Sequence, residues 1–232
     1  MQAGGRSGPR RGAREPVFNI PLVVLAIALA CVAIHLVRLY VLTLDEDIGL
    51  ILRAAFIPIR YSGLYELDIY AFTTPFTYAF LHGGVGHLAI NMVWLFAFGS
   101  PLATRLGAGR FLLFWAVTAL AAAALHYALH PLDQAPLIGA SGAISGMMGA
   151  AARFGFRVGR MDGRPCFIGP PLPMSEIFRS RGVIVFLGIW MAVNVVTGLA
   201  GVGAGESASI AWEAHIGGFV AGFFGIRLFL PR

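Results

Sequence analysis

Few residues in this chain could do chemistry, and they lie in apolar surroundings. Ser141 and Ser145 occur in IGASGAISGMMGA, residues 138–150; His82, His87 and Asn91 in LHGGVGHLAINMVWLFAFG; His215 in WEAHIGGFVAGFFG; and Asn194 in the apolar run ahead of it. A serine hydroxyl alone is a weak nucleophile, and a neutral imidazole within hydrogen-bond reach activates it by taking its proton as it attacks a carbonyl. Acyl transfer also needs donors for the developing oxyanion. His87 and Asn91 are four residues apart, which puts both donors on one helical face. The Ser141 backbone N–H, freed near a helix start in a Gly-rich turn, is a third donor. Glu213 faces away from His215 and Asp133 falls in a loop, so no carboxylate is required to complete the set.

The medium that must hold these groups is a bilayer. With 58% hydrophobic and 12% charged residues and a mean hydropathy of +0.78, the chain has more apolar surface than one soluble core could hide. Segments near 20 apolar residues, the length that crosses a ~30 Å hydrocarbon core, occur at 21–44, 74–99, 111–130, 137–156, 182–200 and 209–230. These predict an all-α polytopic membrane protein, a six-helix bundle over 21–230 behind a basic cytosolic head at 1–20. The head resembles a signal peptide, but the run that follows is too long, so it reads as a retained first span. Cys31 and Cys166 imply no disulfide and leave the redox compartment undetermined.

All seventeen basic residues are arginine. Alternating the loops across the membrane puts fourteen on one side, including Arg6, Arg10, Arg11, Arg14 and the cluster Arg153, Arg157, Arg160, Arg164, Arg179 and Arg181, against Arg53 and Arg60 on the other. That asymmetry predicts cytosolic termini, and the charge reads as flanks near anionic lipid. No basic segment carries the interleaved aromatics that stack on bases, so nucleic acid is not an expected partner. The outer segment 45–73, containing ILRAAFIPIRYSGLY, is expected to lie in the interface, and the Pro-rich connection 160–181 to be irregular.

Spans two, four and six then all enter from outside, with His82, His87, Ser141 and His215 at overlapping depth, roughly 6 to 18 Å below the surface. Gly142 and Gly146 on span four, and Ala214, Gly218 and Gly222 on span six, form small-xxx-small stripes that permit close backbone approach. If the stripes face each other, Ser141 and His215 come within hydrogen-bond reach. The connection HPLDQAPLIG must then dip into the bundle to bring Ser141 to that depth.

At this point the residues resemble a known set. GASGAISG is similar to the GxSG motif of rhomboid intramembrane serine proteases, HGGVGHLAIN to their second-span histidines and asparagine, and AHIGGFVAG to their AHxxGxxxG motif. The motifs fall in the family's order. The resemblance implies a Ser141 nucleophile, a His215 general base, and an oxyanion site from His87, Asn91 and the Ser141 amide. It implies that His82 supports the site near a water-filled mouth, that Gly139 is the first glycine of GxSG, and that Gly218 and Gly222 pack helices. The implied reaction is hydrolysis of peptide bonds in or near transmembrane segments of single-span or multi-span substrates, at a site opening to the outer side of a bacterial inner membrane. Thr73 and Thr74 stand where many members carry a Trp-Arg pair in the first outer loop, which leaves the anchoring of that loop to be found elsewhere.

Other readings are weaker. A transporter would show repeats or matching broken helices. His82 and His87 are five apart and do not stack on one helical face, and there is no HExxH pattern or pair of span-buried aspartates, so neither metal nor cofactor is expected. Ser145, Asn194, Trp94 and Trp115 read as packing residues, and His35, His126 and His130 as structural or interfacial. The alternative is a catalytically inactive rhomboid-like protein that binds membrane clients. The oligomeric state is not encoded in any feature of the sequence.

Overall fold

The structure is a computed structural model and describes residues 19–200 and 211–231. The arginines of the head, Arg232 and the start of the sixth expected span lie outside these. The chain is mostly helical. Helix α1 (Leu22–Tyr40) is followed by a connecting segment with α2 (Leu44–Ala54) and α3 (Ile69–Thr77), then α4 (Val85–Trp94), α5 (Ser100–Leu106), α6 (Ala108–Leu129) and α7 (Ser141–Arg153). A hairpin of β1 (Val158–Met161) and β2 (Arg164–Phe167), a short α8 (Met174–Ile177), α9 (Arg181–Ala200) and α10 (Trp212–Phe229) complete it.

Four of these units are long and apolar enough to cross a membrane: Leu22–Tyr40, the continuous run Val85–Leu106, Ala108–Leu129 and Arg181–Gly198. This is an integral membrane protein. Of the six expected spans, those at 137–156 and 209–230 are not among these four, and the second differs in its bounds. The second was read as 74–99, but the helix breaks at Leu81–Gly84, where Gly84 is fully extended, and resumes seven residues further than expected, to Leu106. Glycine weakens a helix by about 1 kcal/mol relative to alanine, and Gly83 and Gly84 place that weakness beside His82. A π-turn at Leu95–Gly99 carries the helix into Pro101, whose ring cannot donate to the preceding turn.

The fourth expected span contracts to the 13 residues of α7, about 20 Å at 1.5 Å per residue. Every residue of α7 after Ser141 is buried. A helix enclosed by protein need not match the hydrocarbon thickness, and residues 137–140 replace its expected first turn. Leu137 pairs with Phe56 in both directions, N to O at 2.8 and 3.2 Å, and Gly139 N–H donates to Tyr78 O at 3.0 Å. Only these last residues of the α6–α7 connection descend; most of 131–136 is exposed.

Helices α7 and α10 make the most extensive helix contact. A Cβ on Gly218 would lie far inside van der Waals contact distance of the Gly142 carbonyl oxygen, and one on Gly222 likewise of the Gly146 oxygen. Apolar burial does not drive helices together in lipid, so such close packing carries the association.

The segment between α1 and α4 has its own anchors. Thr43 and Glu46 form a capping box that opens α2, and the bonds from Thr43 hold the Glu46 carboxyl below its usual range. The Tyr61 hydroxyl donates to Ala71 O at 2.7 Å and meets Thr74 Oγ1 at 2.9 Å, while Thr77 Oγ1 donates to Ala54 O at 2.8 Å. Thr74 is thus a buried anchor.

The Pro-rich connection is partly ordered into a hairpin, not irregular throughout. Val158–Met161 pairs antiparallel with Arg164–Phe167, and Asp162 and Gly163 both take positive φ (50° and 76°), the two-residue turn that Asp-Gly favours. Beyond it, carbonyls of Gly169, Pro170 and Pro171 accept from Arg105, Arg157 and Arg227. Some of the arginines therefore fix backbone. Cys166, in β2 itself, is buried, which pushes its thiol above the ordinary value.

Candidate active site

Three helix starts converge at one end of the bundle. Gly139 has φ 126°, a backbone that disfavours any side chain, and it turns the chain so that Ser141 opens α7. The helix supplies no acceptor for the first N–H groups, so the Ser141 amide points outward beside its own hydroxyl. Tyr78 fixes the floor: besides accepting from Gly139, it donates its hydroxyl to Ala119 O at 2.8 Å.

His215, in the first turn of α10, brings Nε2 to 2.8 Å from Ser141 Oγ. Its Nδ1 lies 2.6 Å from Asn194 Oδ1, and Asn194 Nδ2 donates to Trp190 O at 2.7 Å. The last bond orients the amide so that its oxygen faces the ring, which must then carry its proton on Nδ1. That tautomer leaves the Nε2 lone pair for the serine proton. Asn194, read from sequence as packing, is thus the third member of the chain of contacts. Its polar side chain in an apolar span was a signal, but nothing in sequence aligned α9 with α10.

His87 lies on the other side of the serine. A Cβ at Gly139 would sit 2.9 Å from His87 Cε1 and Nε2 and 3.5 Å from Ser141 Oγ, so imidazole and hydroxyl flank the same Cα. Gly83 N–H makes a long bond to His87 Nδ1 at 3.4 Å, leaving Nε2 as the donor. Asn91, one turn on and buried, gives one Nδ2 hydrogen to His87 O at 2.9 Å and keeps a second.

His82 lies buried beside His87. It is 1% exposed, its ring packs edge-on to His87 with centroids 5.2 Å apart, and its carbonyl accepts from Arg38 Nη1 at 2.7 Å. Arg38 is itself held by Asp47 through two bonds of 2.6 and 3.2 Å, tying α1, α2 and the α4 entrance together. Ser145 is buried one turn below Ser141, and both His215 nitrogens are already engaged elsewhere. Trp94 stacks on Phe98, and Trp115 packs at a tilt against Phe80. Glu213 turns away from His215 to His130.

A family model described as the Rhomboid domain matches residues 70–232. The chain belongs to the rhomboid family. This rhomboid is 27% identical over 162 residues to Rhomboid protease GlpG of Enterobacter sp. (strain 638), covering 70% of this chain and 49% of that one. It is 29% identical over 153 residues to Rhomboid protease GluP of Bacillus subtilis (strain 168), covering 66% and 25%. A GlpG of Salmonella choleraesuis (strain SC-B67) is 27% identical over 147 residues, covering 63% and 45%. The chain spans half or less of the length of these relatives. The motifs that suggested the family lie inside the matched region, as do all the polar groups gathered around Ser141.

Proposed function

We propose that this rhomboid is an intramembrane serine endopeptidase acting on peptide bonds in or near the transmembrane segments of other membrane proteins. The observation that carries the reading is the 2.8 Å contact between Ser141 Oγ and His215 Nε2. His215 takes the hydroxyl proton as Oγ bonds to the scissile carbonyl carbon. The oxyanion accepts from the Ser141 N–H, His87 Nε2–H and Asn91 Nδ2–H. The imidazolium returns its proton to the leaving amine, the C–N bond breaks and an acyl-serine remains. Water, deprotonated by the same imidazole, attacks that ester, releasing the new carboxyl end and restoring the serine.

Six spans over 21–230, both termini in the cytosol and a site open to the outer side of a bacterial inner membrane fit the arginine asymmetry. In this arrangement α7 and α10 are the fourth and sixth crossings, kept short or glycine-rich because they meet protein more than lipid.

The test is labelling of purified protein in detergent with a serine-directed fluorophosphonate, together with cleavage of a single-span reporter. The label is expected at Ser141, with a cut in or beside the reporter's span. Protein that neither labels nor cuts would instead be the inactive client-binding member.

In the same reading Asn194 is a positioning residue that holds the His215 tautomer. Asn194→Ala is expected to lower kcat by about 10–100-fold, the cost of a small misplacement of a reacting group, with KM nearly unchanged. Asn194→Asp, which keeps an acceptor there, retains more activity. A change confined to KM would assign Asn194 to substrate binding.

A further inference from the structure

A second cluster of titratable side chains lies apart from Ser141. His126 in the last turn of α6, His130 at its C-cap, Asp133 in the following turn and Glu213 in the first turn of α10 converge there. His126 and His130 are four residues apart and share a helical face, with ring centroids 5.4 Å apart. His130 Nε2 lies 3.0 Å from Glu213 Oε1 and His126 Nε2 3.8 Å from Asp133 Oδ2. One ligand atom from each of His126, His130 and Glu213 falls within 4.8 Å of the others. Ligand atoms about 2.0–2.1 Å from a tetrahedral zinc stand roughly 3.3 Å apart, so closure of these three asks only small side-chain movements, and Asp133, 3.8 Å from His126 Nε2, is the fourth ligand that must swing in.

We propose that these four residues bind one Zn²⁺-class divalent ion. Two imidazoles and two carboxylates suit zinc in donor type and in charge, whereas calcium and magnesium prefer all-oxygen sets. Buried His126, whose Nδ1 finds no hydrogen-bond partner, is incompletely satisfied by protein alone. The His130 and Asp133 side chains, 45% and 36% exposed, give the ion a route from the aqueous phase. Bound there, it clamps the end of α6 to the start of α10, two residues ahead of His215. The site does not depend on the proteolytic reading, because none of its ligands belongs to the proposed catalytic set.

The test uses the full chain, purified without a histidine tag, stripped with a chelator and held in detergent. One equivalent of Co²⁺ is expected to give the intense visible absorption of a tetrahedral site, displaced by Zn²⁺, and Zn²⁺ is expected to raise the Tm. Affinity, read by competition with a chromophoric chelator, falls at least tenfold in His130→Ala and in Glu213→Gln. His87→Ala binds as the wild type does, which separates this site from the histidines around Ser141. His130 is half-exposed, so its variant keeps the metal-free Tm. Absence of one-to-one binding, binding unchanged in both ligand variants, or binding lost in His87→Ala would each overturn the proposal.

Discussion

Ser141→Ala and His215→Ala are each expected to lower the cleavage rate by about 10⁴-fold or more, and the double variant little further. Residues that act as one unit lose most of their effect when either is removed, and serine-protease knockouts fall in the range of roughly 10⁴–10⁶. In the proposed mechanism the unit is the Ser141–His215–Asn194 chain. Without Oγ there is no nucleophile, and without Nε2 the hydroxyl keeps its proton. Neither substitution opens a large cavity, since alanine suits a small-residue helix start at 141 and His215 is only partly buried, so the Tm should hold. Ser145→Ala is the decisive control. Its hydroxyl is 4% exposed and one turn from the imidazole's partner, so its removal should leave cleavage within a fewfold of wild type. Single-turnover cleavage of a reporter measures all four proteins. Retained activity in Ser141→Ala, or equal loss in Ser145→Ala, would dismiss Ser141 as the nucleophile.

The chemistry was more legible in the sequence than the architecture. Ser141, His87, Asn91 and His215 stand out because polar groups are costly in a span, and the glycine spacings say which helix faces can meet. What the sequence left open depends on surroundings. Hydropathy cannot tell a short helix sheathed in protein from one exposed to lipid, so α7 was read too long. The break at Gly83–Gly84 was hidden because its flanks are as apolar as a span. Asn194 could be recognised as a partner of His215 only once α9 was placed beside α10. The hairpin turn does carry a sequence signal, since Asp162-Gly163 favours a two-residue turn. Thr74 shows the opposite case, in which a departure from the family pattern is offset by different local bonding through Tyr61.

Gly218→Ala should be the most damaging single-methyl change to the bundle. In an unobstructed helix, replacing glycine by alanine gains about 1 kcal/mol. At Gly218 the added carbon meets the Gly142 carbonyl, and that obstacle is backbone, which has no rotamer to change. The two helices must separate, forfeiting dispersion contacts along the seam, and overpacking of this kind costs about 1–3 kcal/mol, occasionally more. For a chain of this size that is a fall in Tm of roughly 2–12 °C. Activity falls further than stability, because Ser141 is the residue before Gly142 and His215 lies one turn before Gly218; displacement of the pair by about 1 Å is worth on the order of 10² in rate. Gly225→Ala, on the same helix, meets only Phe229 Cε2 at 3.9 Å and should leave Tm and cleavage unchanged or slightly raised. Thermal unfolding in detergent and fluorophosphonate labelling rates separate the two variants. If they behaved alike, the seam between α7 and α10 would not be what holds serine against histidine.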